Sequence, residues 1–187
     1  SEMEIEPQIR EKLALFCNVP SSHVLQNLDV EYLYEAPLML ENEKLANVVC
    51  ECLDIPCPEP DLTDWKAMVE ALRAPKHEVT VALVGKYTAL HDAYLSVVEA
   101  LKHGGISNYA DVHIKWIESE DITSDNIGEL LGDVDGLIVP GGFGSRGIEG
   151  MIIAIRYARE NNLPFLGLCL GMQLSIIEFA RDVAGFD

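Results

Sequence analysis

The chain has 187 residues, of which 49% are apolar and 24% charged, and a net charge of −18. It is long and apolar enough to bury a core, which excludes intrinsic disorder, and no apolar run approaches the roughly 18 residues of a membrane span. The acid surplus argues against a nucleic-acid surface, which needs clustered Lys and Arg, but not against a small anion held by a helix N-terminus or one or two placed cations.

The opening Ser1-Glu2-Met3-Glu4-Ile5-Glu6 has neither the basic nor the apolar segment of a signal peptide. Five scattered cysteines, an odd number, predict reduced thiols and a cytoplasmic setting. The run Leu13 to Val19 reads as a buried strand, and Val24 to Leu28 as a short second one. Leu38 to Leu53 reads as one helix with a stripe at Leu38, Leu45, Val48, Val49 and Cys52. Pro56, Pro58 and Pro60 then mark a semi-rigid linker, and Thr63 is placed to cap a helix running to about Leu72. These features predict an N-terminal piece over 1–55, a linker and helix over 56–77, and a second domain over 78–187.

That second region alternates. Val79–Val84 is a strand closed by Gly85, and a helix carrying Ala93, Tyr94, Val97, Val98 and Leu101 should end at Gly104-Gly105. Val112–Ile117 is a strand, Asn126–Leu131 a short helix, and Gly136–Val139 a strand ending at Pro140-Gly141-Gly142. Ile148, Met151, Ile152 and Ile155 stripe the next helix, which stops near Asn161. Pro164–Leu168 is the last strand and Leu170–Asp182 the last helix. This order predicts an α/β fold, a doubly wound parallel sheet with its site at the carboxyl ends of strands.

The chemistry concentrates at Gly167-Leu168-Cys169-Leu170-Gly171. A nucleophile between a strand and a helix, flanked by glycines at −2 and +2, is the elbow of hydrolytic α/β folds, with Cys in place of Ser. The helix N-terminus behind the sulfur suits negative charge. Leu170 N–H and Gly142 N–H are the expected oxyanion donors, a pair that fits acyl transfer from an amide or ester. His23, His77, His91, His103 and His113 all precede Cys169, and none sits in a strand-end loop beside an acid. The general base that a thiol nucleophile uses is therefore expected outside this chain. Cys50, Cys52 and Cys57 lack a fourth ligand at zinc spacing, so no metal is expected here. Lys86 follows Gly85 without the rest of a Walker motif.

Several segments resemble the CTP synthase family: Gly85-Lys86-Tyr87, Glu99 to Gly105, Val139 to Gly144, Ala158 to Asn162 and Gly167 to Gln173. Upstream, Leu15 to Val19 and Leu28-Asp29-Val30 resemble the end of that family's synthetase domain. The resemblance implies a class I glutamine amidotransferase-like domain, truncated, preceded by the C-terminal part of an α/β synthetase domain. It implies a ligase that hydrolyses glutamine at a Cys–His–Glu triad and sends ammonia to a second site, where UTP, ATP and Mg²⁺ yield CTP. It further implies GTP activation, CTP inhibition and a homotetramer; the charge and the lack of a long apolar run already predict no nucleic-acid or membrane partner.

By position, the resemblance makes Cys169 the nucleophile. Gly142, Phe143, Leu170, Gly171, Met172 and Gln173 would line the glutamine pocket. Arg146, Gly147 and Glu149 match a lid linked to GTP. Lys12 matches a UTP or CTP contact, and Leu28, Asp29 and Val30 match an ATP adenine site. The triad His and Glu, the phosphate loop and the Mg²⁺ ligands have no match in the chain. It therefore reads as a middle piece, inactive alone, with no cofactor of its own and an exposed sheet edge. Two alternatives stand beside this reading: another class I amidotransferase, and a non-catalytic assembly module on the same fold.

Overall fold

The computed structural model describes residues 2–186. The chain divides into two units, split between Arg73 and Ala74.

The first unit is helical: α1 (Pro7–Cys17), α2 (Ala36–Asn42), α3 (Leu45–Leu53) and α4 (Thr63–Arg73), with single 3₁₀ turns at Ser21–His23 and Leu33–Glu35. Neither expected strand is present among its described residues. Leu13 to Cys17 belongs to α1, and 24–30 is irregular. A short apolar run does not distinguish strand from helix. Here Pro7 pre-sets the first helical turn, and Asn18, left-handed at φ 53°, closes it by donating to the carbonyls of Ala14 and Leu15. Leu15 and Phe16 point outward, 80% and 76% exposed.

The helix expected over 38–53 is broken in two at Lys44, whose φ is 66°. The neighbouring Glu43 explains the break. Its carboxylate accepts from Arg10 at 3.1 Å, and from the side chain and backbone N–H of Gln26 at 3.0 and 3.3 Å. Burial opposes that charge, but the Gln26 and Arg10 bonds outweigh it and hold the Glu43 carboxyl below the usual range. Thr63 is the first residue of α4 rather than its cap; Asp61 Oδ1 accepts the Thr63 N–H at 3.0 Å. Trp65 Nε1 donates to the Tyr34 carbonyl at 2.7 Å and ties α4 to the turn before α2.

The second unit alternates as predicted: β1 (His77–Gly85), α5 (Leu95–Asn108), β2 (Ala110–Glu118), α6 (Ile127–Leu131), β3 (Gly136–Val139), α7 (Ile148–Glu160), β4 (Phe165–Gly167) and α8 (Leu170–Asp182). The four strands are parallel, in the order β2-β1-β3-β4. Register pairs Leu83 with Ile138 and Val139 with Gly167. Side chains alternate across the sheet. Val79 and Val81 share a cavity with Leu101 and Gly104 of α5. Ala82 and Val84 enter the core with Leu137, Val139, Met151, Ile155 and Leu174. Helices therefore cover both faces. The chain leaves β1 for β2, then returns to β3, so the switch point lies at the carboxyl ends of β1 and β3.

α5 does not stop at Gly104-Gly105. It runs to Asn108 and ends on a left-handed Tyr109, φ 55°. The two glycines have different reasons. A Cβ on Gly105 would stand 2.6 Å from the Ala110 carbonyl oxygen, whereas one on Gly104 would meet nothing within 4 Å. Gly104→Ala should therefore stabilise the protein by about 0.5–1 kcal/mol through helix propensity. Gly105→Ala should destabilise it by about 1–3 kcal/mol through overpacking. Urea denaturation of the two variants would check the opposite signs.

Candidate active site

Three strand ends build the site. β4 ends in the elbow, where Cys169 adopts φ 51° and ψ −102°, a conformation that side chains rarely take. The flanking glycines hold it there by close approach. A Cβ on Gly171 would stand 2.0 Å from the Val139 carbonyl oxygen, and one on Gly167 would stand 2.6 Å from the Gly171 carbonyl carbon. Leu168 N–H donates to the same Val139 carbonyl at 2.9 Å, and Gln173 N–H donates to the Cys169 carbonyl at 3.1 Å. The thiol is left exposed on top of this turn.

β3 ends in Pro140 to Gly144, and this loop stands beside the elbow. A Cβ on Gly141 would lie 3.6 Å from that of Cys169, and one on Gly142 would lie 3.4 Å from Leu170 Cδ2. Among the described residues, no backbone carbonyl takes the N–H of Gly142 or of Leu170. Cys169, Gly142 and Leu170 are thus brought together with two unspent backbone donors. Gly171 is buried, while Phe143, Met172 and Gln173 are exposed, Phe143 at 89%.

β1 supplies what the sequence alone did not reveal. Lys86 is 2% exposed. Its Nζ donates to the carbonyl oxygens of Phe143, at 3.1 Å, and of Gly144. Burial pulls the ammonium below its usual range; nearby Arg146 adds to this, and Glu120 acts the other way. Its backbone N–H donates to the hydroxyl of Tyr94 at 3.1 Å. Burial pushes that hydroxyl up, keeping Tyr94 a neutral phenol. The sequence signal is a lysine directly after the strand-closing Gly85, within a segment that carries the family resemblance but assigns the lysine no role.

The expected lid residues sit over the same strand ends. Arg146 pairs with Glu120 at 2.6 Å, lies 3.5 Å from Glu118, donates to the Lys86 carbonyl, and has its guanidinium 5.9 Å from the Tyr87 ring centre. The Glu120 bond raises the guanidinium further above its ordinary value. Gly147, at φ 66°, sits against Ser119, whose buried hydroxyl has no hydrogen-bond partner. Glu149 pairs with Arg181 at 3.3 Å, joining α7 to α8. α7 and α8 are also joined by Arg156–Asp182 at 2.8 Å and by Arg159–Glu178 at 2.7 Å.

No hydrogen bond joins Cys169 to a histidine among the described residues. His91 stacks on Trp116 with ring centres 4.2 Å apart, His113 lies 3.8 Å from Asp111, and His23 contacts Cys52 and Glu51 in the first unit. In that unit Lys12 is exposed on α1, and Leu28, Asp29 and Val30 line a cavity of about 460 Å³ with Glu31 and Leu33. No group of three or more His, Cys, Asp or Glu could hold a metal ion among the described residues. No described helix is long and apolar enough to cross a membrane.

Gly171→Ala is the sharpest test of the elbow's packing. Its methyl group meets the Val139 carbonyl, so β3 and α8 must part. The expected loss is about 1–3 kcal/mol, read from the urea midpoint.

Comparison with known proteins places this geometry. The family model for Glutamine amidotransferase class-I matches residues 89–185, and the one for CTP synthase N-terminus matches residues 1–55. A CTP synthase of Ruminiclostridium cellulolyticum is 57% identical over 185 residues, 99% of this chain and 35% of the relative. Those of Clostridium acetobutylicum and Lactococcus lactis are 54% and 52% identical over 187 residues, the whole chain, again over 35% of each relative. The chain thus spans about a third of the length of these relatives. A solved Trypanosoma brucei CTPS glutaminase domain with bound acivicin superposes with a TM-score of 0.54 at 40% identity, over 57% of this chain and 42% of that one. The first of these family matches takes in more than half of the sequence, and the chain belongs to the class-I glutamine amidotransferase family.

Proposed function

We propose that residues 78–187 are the nucleophile-bearing part of a glutaminase and residues 1–55 the end of a synthetase domain, within a CTP synthase. The observation that carries this reading is the exposed, strained Cys169 beside two unspent backbone donors. The identity of 52–57% to CTP synthases across both regions supports it.

In the proposed reaction the Cys169 sulfur attacks the side-chain carboxamide carbon of glutamine. The carbonyl electron pair moves onto oxygen, and the N–H groups of Gly142 and Leu170 stabilise that oxyanion. Collapse expels the amide nitrogen, which takes a proton and leaves as ammonia. Water then cleaves the thioester, releasing glutamate and restoring the thiol. Since His23, His91 and His113 are engaged elsewhere, the base is drawn from a His and Glu outside these residues. Phe143, Gly171, Met172 and Gln173 would border the glutamine.

Ammonia would reach a second site where UTP is aminated at the cost of ATP. The cavity at Leu28–Val30 supports an adenine contact there, and Lys12 would make a uridine-nucleotide contact. The described residues offer no carboxylate set for Mg²⁺. GTP would act through Arg146, Gly147 and Glu149, CTP would inhibit, and the whole protein would be a cytoplasmic homotetramer.

Cys169→Ala tests the reading in the full-length protein. Glutamine-dependent CTP formation should fall by several orders of magnitude, while ammonia-dependent formation persists. Equal loss of both, read by chromatographic assay of CTP, would show that Cys169 does not serve a separate glutaminase site.

A further inference from the structure

We propose that Lys86 is the positioning residue of the oxyanion site, tying down the loop after β3 so that Gly142 N–H stays presented to the sulfur of Cys169. The inference rests on the glutaminase reading and deepens it.

Pro140 to Gly144 contains three glycines in five residues, a sequence with little conformational preference of its own. Its first end is fixed by β3, where Val139 accepts from Leu168. Its far end is fixed by the Lys86 ammonium, which bonds the carbonyls of Phe143 and Gly144. The Lys86 stem also fills the space beside Gly142: a Cβ there would lie 3.3 Å from Lys86 Cδ and 3.5 Å from Cε. Gly142 is thus held between two anchors and against a buried wall. A buried ammonium without a carboxylate bond is an unfavourable choice for mere packing, since an apolar side chain of that length would fill the same space. What only the ammonium supplies is two donors to successive carbonyls at the carboxyl end of the central strand. Lys86 touches neither substrate nor the reacting atoms; it acts through the loop.

The test compares the full-length wild type with Lys86→Met, which keeps the stem and removes the donors. Four quantities are read: kcat and KM for glutamine, inhibition by glutamate γ-semialdehyde, alkylation of Cys169 by iodoacetamide, and ammonia-dependent CTP formation. The aldehyde adds to the thiol and puts an oxyanion where Gly142 would bind it. Misplacing a catalytic group by about 1 Å costs about 10²-fold, so kcat should fall by about that factor with little change in KM. Affinity for the aldehyde should fall by the same factor, while alkylation and ammonia-dependent synthesis hold. Amide hydrogen exchange over 140–146 should quicken. Lys86→Gln, with one amide donor on a shorter stem, should show an intermediate loss and serves if Lys86→Met does not fold.

Unchanged kcat and aldehyde affinity would overturn the proposal, as would a rise in KM alone. Loss of ammonia-dependent synthesis in a folded variant would overturn it too, by placing Lys86 in a different role. A wild type that releases no glutamate would overturn the glutaminase reading and this inference together. A wild type that does so, with a Lys86→Met variant equal to it, overturns this inference alone.

Discussion

The Val139 carbonyl occupies the space that a side chain at position 171 would need, and the second unit is organised around that contact. It brings the first turn of α8 against the end of β3. It also takes the Leu168 N–H, so the last strand and its helix are docked through one peptide group. Cys169, the loop beside it and the parallel register of β3 with β4 all depend on this approach. Strand pairing at Val139–Gly167 and helix docking at Val139–Gly171 are two uses of the same residue.

Around this apolar junction lies a polar one. Lys86, Arg146, Glu118, Glu120 and Thr88 meet where β1 and β2 end. Thr88 donates to Glu118 at 2.8 Å, Arg146 reaches Glu120 and the Lys86 carbonyl, and Lys86 reaches the β3 loop. Each member is bonded to a neighbour on a different segment. Loops that the sheet alone would leave independent are thereby joined, which is how a site at a switch point gains rigidity without regular structure.

The second unit was legible in sequence because parallel strands and their crossover helices repeat a strong apolar pattern. Gly136–Val139 and the elbow helix appear where the pattern puts them. Gly104-Gly105 misled because glycine is a helix stop only when nothing else holds the helix; here Gly105 is needed by the neighbouring Ala110 carbonyl. The first unit was harder. Its apolar runs are short, and the break at Lys44 follows from the grip of Arg10 and Gln26 on Glu43, which no local pattern announces. The turn at Cys169 was legible because an elbow needs glycines at fixed spacing. Lys86 could not be assigned a role, because its partners are backbone carbonyls 57 and 58 residues away, which carry no sequence signature.

The backbone at Cys169 has a consequence for stability. A side chain held at φ 51° and ψ −102° costs about 1–3 kcal/mol, and the exposed thiol returns little of that by packing. Glycine would remove the strain for roughly 0.5–1 kcal/mol of chain entropy. The fold is therefore less stable than it would be with glycine at position 169. Selection for thermal robustness alone would drift toward losing the sulfur; in the proposed glutaminase the cysteine at this turn is a stability deficit that the nucleophile's role maintains.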